Sequence, residues 1–425
     1  MVASDLPIGD RIRHYRGERR QDVVAGLVRI SPDYLSQIER GLKVPSLPIL
    51  HAIAQELGVP TAALLADMPA GSRVSLDTTE PAIVRALMGY GSPCSPSSAE
   101  PAALRERVDS AWRLWQSSKT RFTDMAGVLP GLIADTEHAA RTARSATDPA
   151  RRRSIMRVRA DLYFLLRSYL RRTGRVDLSM LAADRAVRAA EEADDPLRIA
   201  AAQWNLGHAL LASQEPDGAE QIALRAVEEL RRSPIAEPDR VAMSGALQLV
   251  AVVAEARRRD WSGARDRLRN RARPAARSVG EGNIMWTVFG PTNVALHEVS
   301  IEMEAGDTSE ALQVADELDT SDLPSMERSF TFNLEVARCH HLRREDAAVL
   351  LSLLELEDLA PEDLARTPLA RKLMLTVIRR GRAMHARQAE KLAERVGVFR
   401  PPSPWFARTD SSGGQPPVSL RSVIT

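Results

Sequence analysis

Residues 21–41, QDVVAGLVRISPDYLSQIERG, constrain this chain most. They read as two short helices joined by a tight turn. From Gln21 to Val28, apolar residues at Val24, Ala25, Leu27 and Val28 make one helical face. Ser31 suits an N-cap, and Pro32 suits the first turn of the helix that follows. In that second helix Tyr34, Leu35 and Ile38 are spaced three and four apart and form a buried face. Pro32, Asp33, Ser36, Gln37 and Arg40 are left pointing outward, and Gly41 ends the helix.

A short helix with a buried inner stripe and hydrogen-bonding residues outside suits the reading of base edges in DNA. Any two-helix hairpin shows the inner stripe, so the flanks matter. Residues 8–20, IGDRIRHYRGERR, form a preceding helix with Arg11, Arg13, Arg16, Arg19 and Arg20. After Gly41, KVPSLPILHAIAQELGVPTAALL reads as two more amphipathic helices split at Gly58-Val59-Pro60. Five helices in about 60 residues, the second and third forming the hairpin, resemble the Cro/phage-repressor (XRE) helix-turn-helix family. The residues that carry the resemblance are Ile8-Gly9, Gln21, Ala25, Ser31, Tyr34-Leu35-Ser36, Ile38-Glu39-Arg40-Gly41, Pro45-Ser46 and Leu57-Gly58-Val59-Pro60. The resemblance covers residues 1–66. It implies DNA contacts from Gln21, Ser31, Pro32, Asp33, Ser36, Gln37, Arg40 and Lys43, with Arg13 and Arg16 on phosphates. Two departures stand out. Arg19-Arg20 run straight into Gln21, two residues short of the family's usual link. Arg29 occupies the family's turn-glycine position, where a Cβ is unfavourable.

The chain has 425 residues, too many for one ordinary domain. Its formal net charge is only +2, so DNA affinity must rest on a local stripe, with Arg11, Arg13, Arg16, Arg19, Arg20, Arg40 and Lys43 as candidates. Lys is rare against Arg, a bias of high-GC bacterial genomes that cautions against reading every Arg cluster as a site. Cys94 and Cys339 stand far apart with no CxxC, which argues against a disulfide framework or a zinc site. No signal-like start and no run of 18 apolar residues occurs, so a cytoplasmic chain without a membrane partner is expected.

Residues 67–102, rich in Pro, Gly and Ser, read as a flexible linker in which PAIVRALM makes a short helix. From 103 to 396 the pattern is helical throughout. Turn signals fall at Thr173-Gly174, Glu215-Pro216-Asp217-Gly218, Arg259-Asp260, Gly306-Asp307 and Glu345-Asp346, most followed by an alanine: Ala219, Ala264, Ala311, Ala347. Their spacings of 45, 47 and 36 residues resemble a degenerate tetratricopeptide array, in which stacked helix pairs form a curved groove. VDSAWRLWQ, AADRAVRAAEEADDP, AQWNLGHALL and WTVFGPTNVALHEVS also resemble regulators of high-GC bacteria that join this helix-turn-helix to such an array. Residues 397–425 read as a disordered tail. The expected fold is all-α: a five-helix DNA-binding domain, then an α-solenoid of tetratricopeptide-like pairs.

Counting fourteen residues back from each alanine gives Asn205, Val250, His297 and Asn333 on successive first helices, with Asn293 one turn before His297. Asn is a poor helix former, so its recurrence there suits contact with a peptide backbone or an amide-bearing ligand. His208 and Trp286 add walls, with Trp204 and Phe289 nearby. The plainer reading is that these Asn cap loops or face solvent. Cys339-His340-His341 cannot converge on a metal, because successive helical residues point about 100° apart. No catalytic, nucleotide-binding or metal motif occurs, so no enzyme, cofactor or metal is expected. The reading is a homodimeric regulator on double-stranded operator DNA, with a peptide or small-molecule effector in the groove. Its alternative is a protein-interaction scaffold with a degenerate head.

Overall fold

The structure is a computed structural model. It describes residues 8–17, 19–59, 61, 64, 80–89, 100–145, 148–320 and 323–398. The described residues contain no strand, and none of their helices is long and apolar enough to cross a membrane. The chain divides into two units, Met1–Ser75 with Gly397–Thr425, and Leu76–Val396. The expected tail lies outside the described residues after Val398.

In the first unit, α1 (Ile8–Arg16), α2 (Gln21–Leu27), α3 (Pro32–Glu39) and α4 (Leu47–Glu56) surround a core of Ile12, Val24, Ala25, Leu35, Ile38, Leu50, Ile53, Ala54 and Leu64. The fifth helix expected beyond Pro60 falls mostly outside the described residues. Ser31 caps α3, its Oγ accepting the Tyr34 N–H at 3.1 Å. Gly9 is required by contact: a Cβ there would lie 2.2 Å from the Ile38 carbonyl oxygen, so α1 and α3 touch backbone to backbone. Leu27 corrects the expected face of α2. It is 58 % exposed, because it falls off the stripe of Val24, Ala25 and Val28. Arg29 takes φ +59° in the turn, as its glycine-type position requires.

The second unit opens with α5 (Glu80–Leu87). Its Ile83, Ala86 and Leu87 are buried in the core of this unit, so this part of the expected linker is packed structure. The array follows as α6 (Pro101–Ser117), α7 (Arg121–Ser145), α8 (Pro149–Arg172), α9 (Val176–Glu192), α10 (Pro196–Ala212), α11 (Pro216–Arg231) and α12 (Glu237–Arg257). Next come α13 (Trp261–Arg267), a π-helical turn (Leu268–Ala272), α14 (Arg273–Val279), α15 (Pro291–Ala305), α16 (Thr308–Asp316), α17 (Met326–Leu342) and α18 (Asp346–Leu359). α19 (Pro361–Arg366), α20 (Pro368–Arg380) and α21 (Ala383–Arg395) finish it.

One turn recurs through the array. Gly174, Gln214, Arg259, Gly306 and Arg344 all have left-handed backbone, φ between 62° and 93°. In each case a new helix begins two residues later, and its fourth residue is fully buried: Ser179, Ala219, Ala264, Ala311 and Val349. This register corrects the last repeat. Ala347 is exposed, and Val349 holds the position expected of it. The alanine itself misled there; the distance from the left-handed residue is what the fold keeps constant. The arginine clusters bind the pairs together. Arg265 meets Glu302, Arg267 meets Glu255 and Glu220, and Arg273 meets Glu298, all between helices.

The array closes on itself. Arg121, at the start of α7, forms a buried ion pair with Asp363 on α19. Its guanidinium also lies over the Trp115 ring at 4.2 Å. Glu362 accepts the Phe122 N–H at 2.8 Å, and Lys119 Nζ donates to the Asp358 carbonyl at 2.6 Å. Between α14 and α15 the chain is strained: Met285, Trp286 and Val288 all have positive φ, each of which ordinarily costs about 1–3 kcal/mol. Packing holds them there. Trp286 stacks on Trp112 at 5.0 Å, and Phe289 fills the space left by Gly245, where a Cβ would meet its ring at 2.0 Å.

Candidate functional site

On the first unit the outer face of α3 carries Pro32, Asp33 and Arg40 exposed, with Ser36 and Gln37 half-buried. Gln37 is not free on this face: its Nε2 donates to Asp33 Oδ2 at 2.6 Å, one turn away. The bond leaves the Gln37 amide oxygen free of Asp33. Arg40 Nε donates to the Ser36 carbonyl at 3.3 Å, and Lys43 Nζ sits 5.5 Å from the Tyr34 ring centroid. Arg13 is exposed on α1.

Other expected DNA contacts are committed inside the domain. Arg16 donates from Nε and Nη2 to Glu39, at 2.7 and 2.9 Å, and Gln21 Nε2 donates to the same carboxylate at 2.9 Å. Glu39 is 6 % exposed. One carboxylate therefore ties the end of α1 and the start of α2 to the end of α3, and these ion-pair bonds hold the Arg16 pKa above its usual value. Arg11 is buried and donates to the Leu64 carbonyl at 3.1 Å. Arg19 pairs with Glu56, and Arg20 pairs with Asp22. The stripe expected to meet phosphates thus narrows to Arg13, Arg40 and Lys43. The others were misplaced because spacing shows a helical face but not a carboxylate arriving from another helix.

In the second unit, a cavity of ≈ 250 Å³ is lined only by the first helices of successive pairs. It takes Arg171 and Arg172 from α8, His208 and Leu211 from α10, Val253 and Arg257 from α12, Leu296, His297 and Glu304 from α15, and Glu327, Arg328, Phe332 and Glu335 from α17. Of the expected ligand residues, only His208 and His297 reach it. Burial, with Arg167 and Arg328 nearby, holds His208 well below its usual pKa; burial and Arg328 bring His297 to about 3. Both imidazoles are neutral at ordinary pH.

The remaining expectations are corrected by packing. Asn205 is buried, accepting Arg167 Nε at 2.8 Å and donating to the Ala201 carbonyl at 2.8 Å. Asn293 is 2 % exposed, does not line the cavity, and leaves its Oδ1 without a hydrogen bond among the described residues. Trp286 is occupied by its stack on Trp112. Asn333 misses the cavity because the last repeat's register is two residues off. Fourteen residues back from Val349 is Glu335, which does line it. Glu335 and the arginines of α8 and α17 are what sequence reasoning missed. Nothing in the sequence marked Arg344 as left-handed, so the register that leads to Glu335 was hidden, as was which arginines would converge.

Cys339 is buried, and burial and Glu335 push its thiol up to about 11. His340 Nδ1 is 2.7 Å from Glu345. Cys94 lies outside the described residues.

Residues 7–68 match the family model of a helix-turn-helix domain. The chain therefore joins a helix-turn-helix domain to an α-helical repeat unit. No curated protein sequence matches it significantly. Among solved structures, it is similar to Bacillus thuringiensis PlcR in complex with the peptide PapR7 and DNA. That match has 10 % identity and a TM-score of 0.33, covering 80 % of this chain and 98 % of that one. It is also similar to a Rap protein complexed with Competence and Sporulation Factor. Here identity is 13 % and the TM-score 0.44, with 91 % of this chain and 97 % of that one covered.

Proposed function

We propose that this chain is a sequence-specific DNA-binding transcriptional regulator of the XRE type, acting in the cytoplasm. The observation that carries this reading is the helix-turn-helix match over residues 7–68 together with a capped α3 whose outer face presents Pro32, Asp33, Gln37 and Arg40. Base edges would be met by Gln37 and Asp33, and phosphates by Arg13, Arg40 and Lys43. The repeat unit would dimerise the chain, pairing two heads on a two-fold symmetric operator. The cavity would take a small effector that binds one curvature of the array better than another, which is the condition for coupling it to DNA. The proposal gives the chain no catalytic role.

Selection of bound DNA from a random pool with the full-length protein tests this. The expected result is an inverted repeat with half-sites about 34 Å apart or a multiple of it. Light scattering should show a dimer. A pool without enrichment would overturn the DNA-binding role and leave the repeat unit as an interaction scaffold.

A further inference from the structure

The cavity of the repeat unit has an arginine-rich end and, further along α17, an end at Glu335. At the first, Arg171, Arg172 and Arg328 line the cavity around Glu327, with Arg167 behind them and Asp363 near Arg172. Glu327 accepts Arg171 Nη2 at 2.7 Å, and Arg172 Nε and Nη2 at 3.0 and 2.7 Å. Among the described residues, Arg167 donates to the Asn205 amide oxygen alone. Arg328 lines the cavity beside Glu327, and Arg171 Nε is buried without an acceptor among the described residues. Burial, with the other arginines adding repulsion, pulls Arg167 down to about 9 and Arg171 to about 10. Guanidinium does not shed its proton in proteins, so this end is held at an electrostatic cost that a further anion would relieve.

The second end lies seven residues along α17 at Glu335, on the same face and about 10 Å away at helical rise. Glu304 of α15 stands beside it and Arg257 nearby. The Glu335 Oε2 is buried without a hydrogen bond, its nearest cation being Arg338 Nη1 at 3.6 Å. Burial pushes this carboxyl up to about 7. Between the ends the lining mixes apolar Val253, Leu296, Ile301 and Phe332 with polar His297, Ser300 and Thr331.

We propose that this cavity binds a small zwitterion, with a carboxylate on the Arg171–Arg328 end and an ammonium on Glu335, joined by a short stem. This rests on the effector role given to the cavity above and names the chemistry of its ligand. The volume of ≈ 250 Å³ is below the ~300–1,000 Å³ of pockets for drug-sized ligands, so the ligand is small. A span of about 10 Å fits a chain of eight carbons, or a tripeptide at ~3.3–3.6 Å per residue. A free amino acid derivative and a short peptide share this chemistry.

Calorimetric titration of the full-length protein, without DNA, tests it with ω-aminooctanoate against octanoate, octylamine and γ-aminobutyrate. The expected result is that ω-aminooctanoate binds at least about ten-fold tighter than any of the three, each lacking one charge or the full span. Glu335→Gln should lower ω-aminooctanoate to the affinity of octanoate while leaving octanoate unchanged, which also shows that the variant is folded. Arg328→Met should weaken octanoate and spare octylamine. The tripeptide Ala-Leu-Ala, free or blocked at either end, separates the sources: a peptide ligand requires that the free form binds tighter than ω-aminooctanoate. Equal binding of octanoate and ω-aminooctanoate, no binding of any probe, or an unchanged preference in Glu335→Gln would overturn the proposal. A protein that binds the zwitterion yet selects no DNA keeps this site and loses the regulator reading.

Discussion

Glu39, at the end of the recognition helix, accepts both Nε and Nη2 of Arg16, the last residue of α1, at 2.7 and 2.9 Å. The Glu39 side chain is 5 % exposed and that of Arg16 14 %, so water screens the pair poorly. Arg16→Met leaves the carboxylate with Gln21 alone. The expected loss is about 2–3 kcal/mol in the head. The loss should appear as an earlier helical transition by circular dichroism. An unaltered transition would show that the pair only decorates the domain, and Arg16 would return to the list of phosphate contacts.

Arg29 supplies the opposite test. It is exposed and held at φ +59°, where a residue with a Cβ loses about 1–2 kcal/mol. Glycine there recovers most of that and gives back some chain entropy, so Arg29→Gly should stabilise the head by roughly 1 kcal/mol. Weaker DNA binding in the more stable variant would show that the arginine itself touches the operator.

Gln37 and Asp33 form a preset pair, 2.6 Å apart. Gln37→Ala should relax preference at one base pair per half-site, by about 1–3 kcal/mol. Asp33→Ala should broaden preference at the same position, because it frees the amide to rotate. Titration of single-base operator variants reads both. Full affinity and unchanged preference in Gln37→Ala would mean that another face of α3 meets the groove.

Asp363 is nearly inaccessible and neutralises an inaccessible Arg121. Asp363→Asn should cost the repeat unit about 3 kcal/mol, since it leaves buried Arg121, among the described residues, with only the longer carboxylate contact to Glu327 at 4.0 Å. Arg121→Met with Asp363→Leu should recover much of that. A single variant as stable as the parent in urea would show that the closure opens freely.

Acid should loosen the repeat unit before it touches most carboxylates. His208 and His297 have folded pKa values below the unfolded 6.5, so their contribution is full above that pH and is lost as pH falls below it. Glu335, raised to about 7, opposes them: folded protein takes its proton first, which adds stability as pH falls. His341, also lowered by burial and by Arg380, adds to the loss, so the histidines outweigh Glu335 and stability falls as pH drops from 6.5 to 5. Glu335→Gln should steepen that fall and His297→Gln should lessen it. Urea midpoints at half-unit steps check both, and equal slopes in all three proteins would exclude these groups as its source.

The helix-turn-helix was legible because its constraints are local. Ser31 before Pro32, the inner stripe of Leu35 and Ile38, and glycine at positions 9 and 41 all act within a few residues or one helix contact. The repeat pairs were legible through their turn pairs, such as Thr173-Gly174 and Gly306-Asp307, but not through the left-handed backbone that Gln214, Arg259 and Arg344 take there. The cavity was not. Asn205 and Asn293 share its helices but turn away from it, and Arg171 and Arg328 meet only because α8 and α17 approach in space. No spacing rule relates residues 157 positions apart. Their choice of partner depends on curvature, which accumulates over every intervening pair.

The closure of the array has a consequence for how the chain is made. Arg121 and Lys119 leave the ribosome about 240 residues before Asp358, Glu362 and Asp363. At ~5–20 residues per second, that is a wait of roughly 10–50 s with the closing edge unmet. An edge built from leucines would invite other nascent chains during that interval. This one waits as arginine and lysine on one side, and aspartate and glutamate on the other, groups that water holds well. The same contact is costly to dehydrate in the finished fold, and that cost keeps the unfinished one apart from its neighbours.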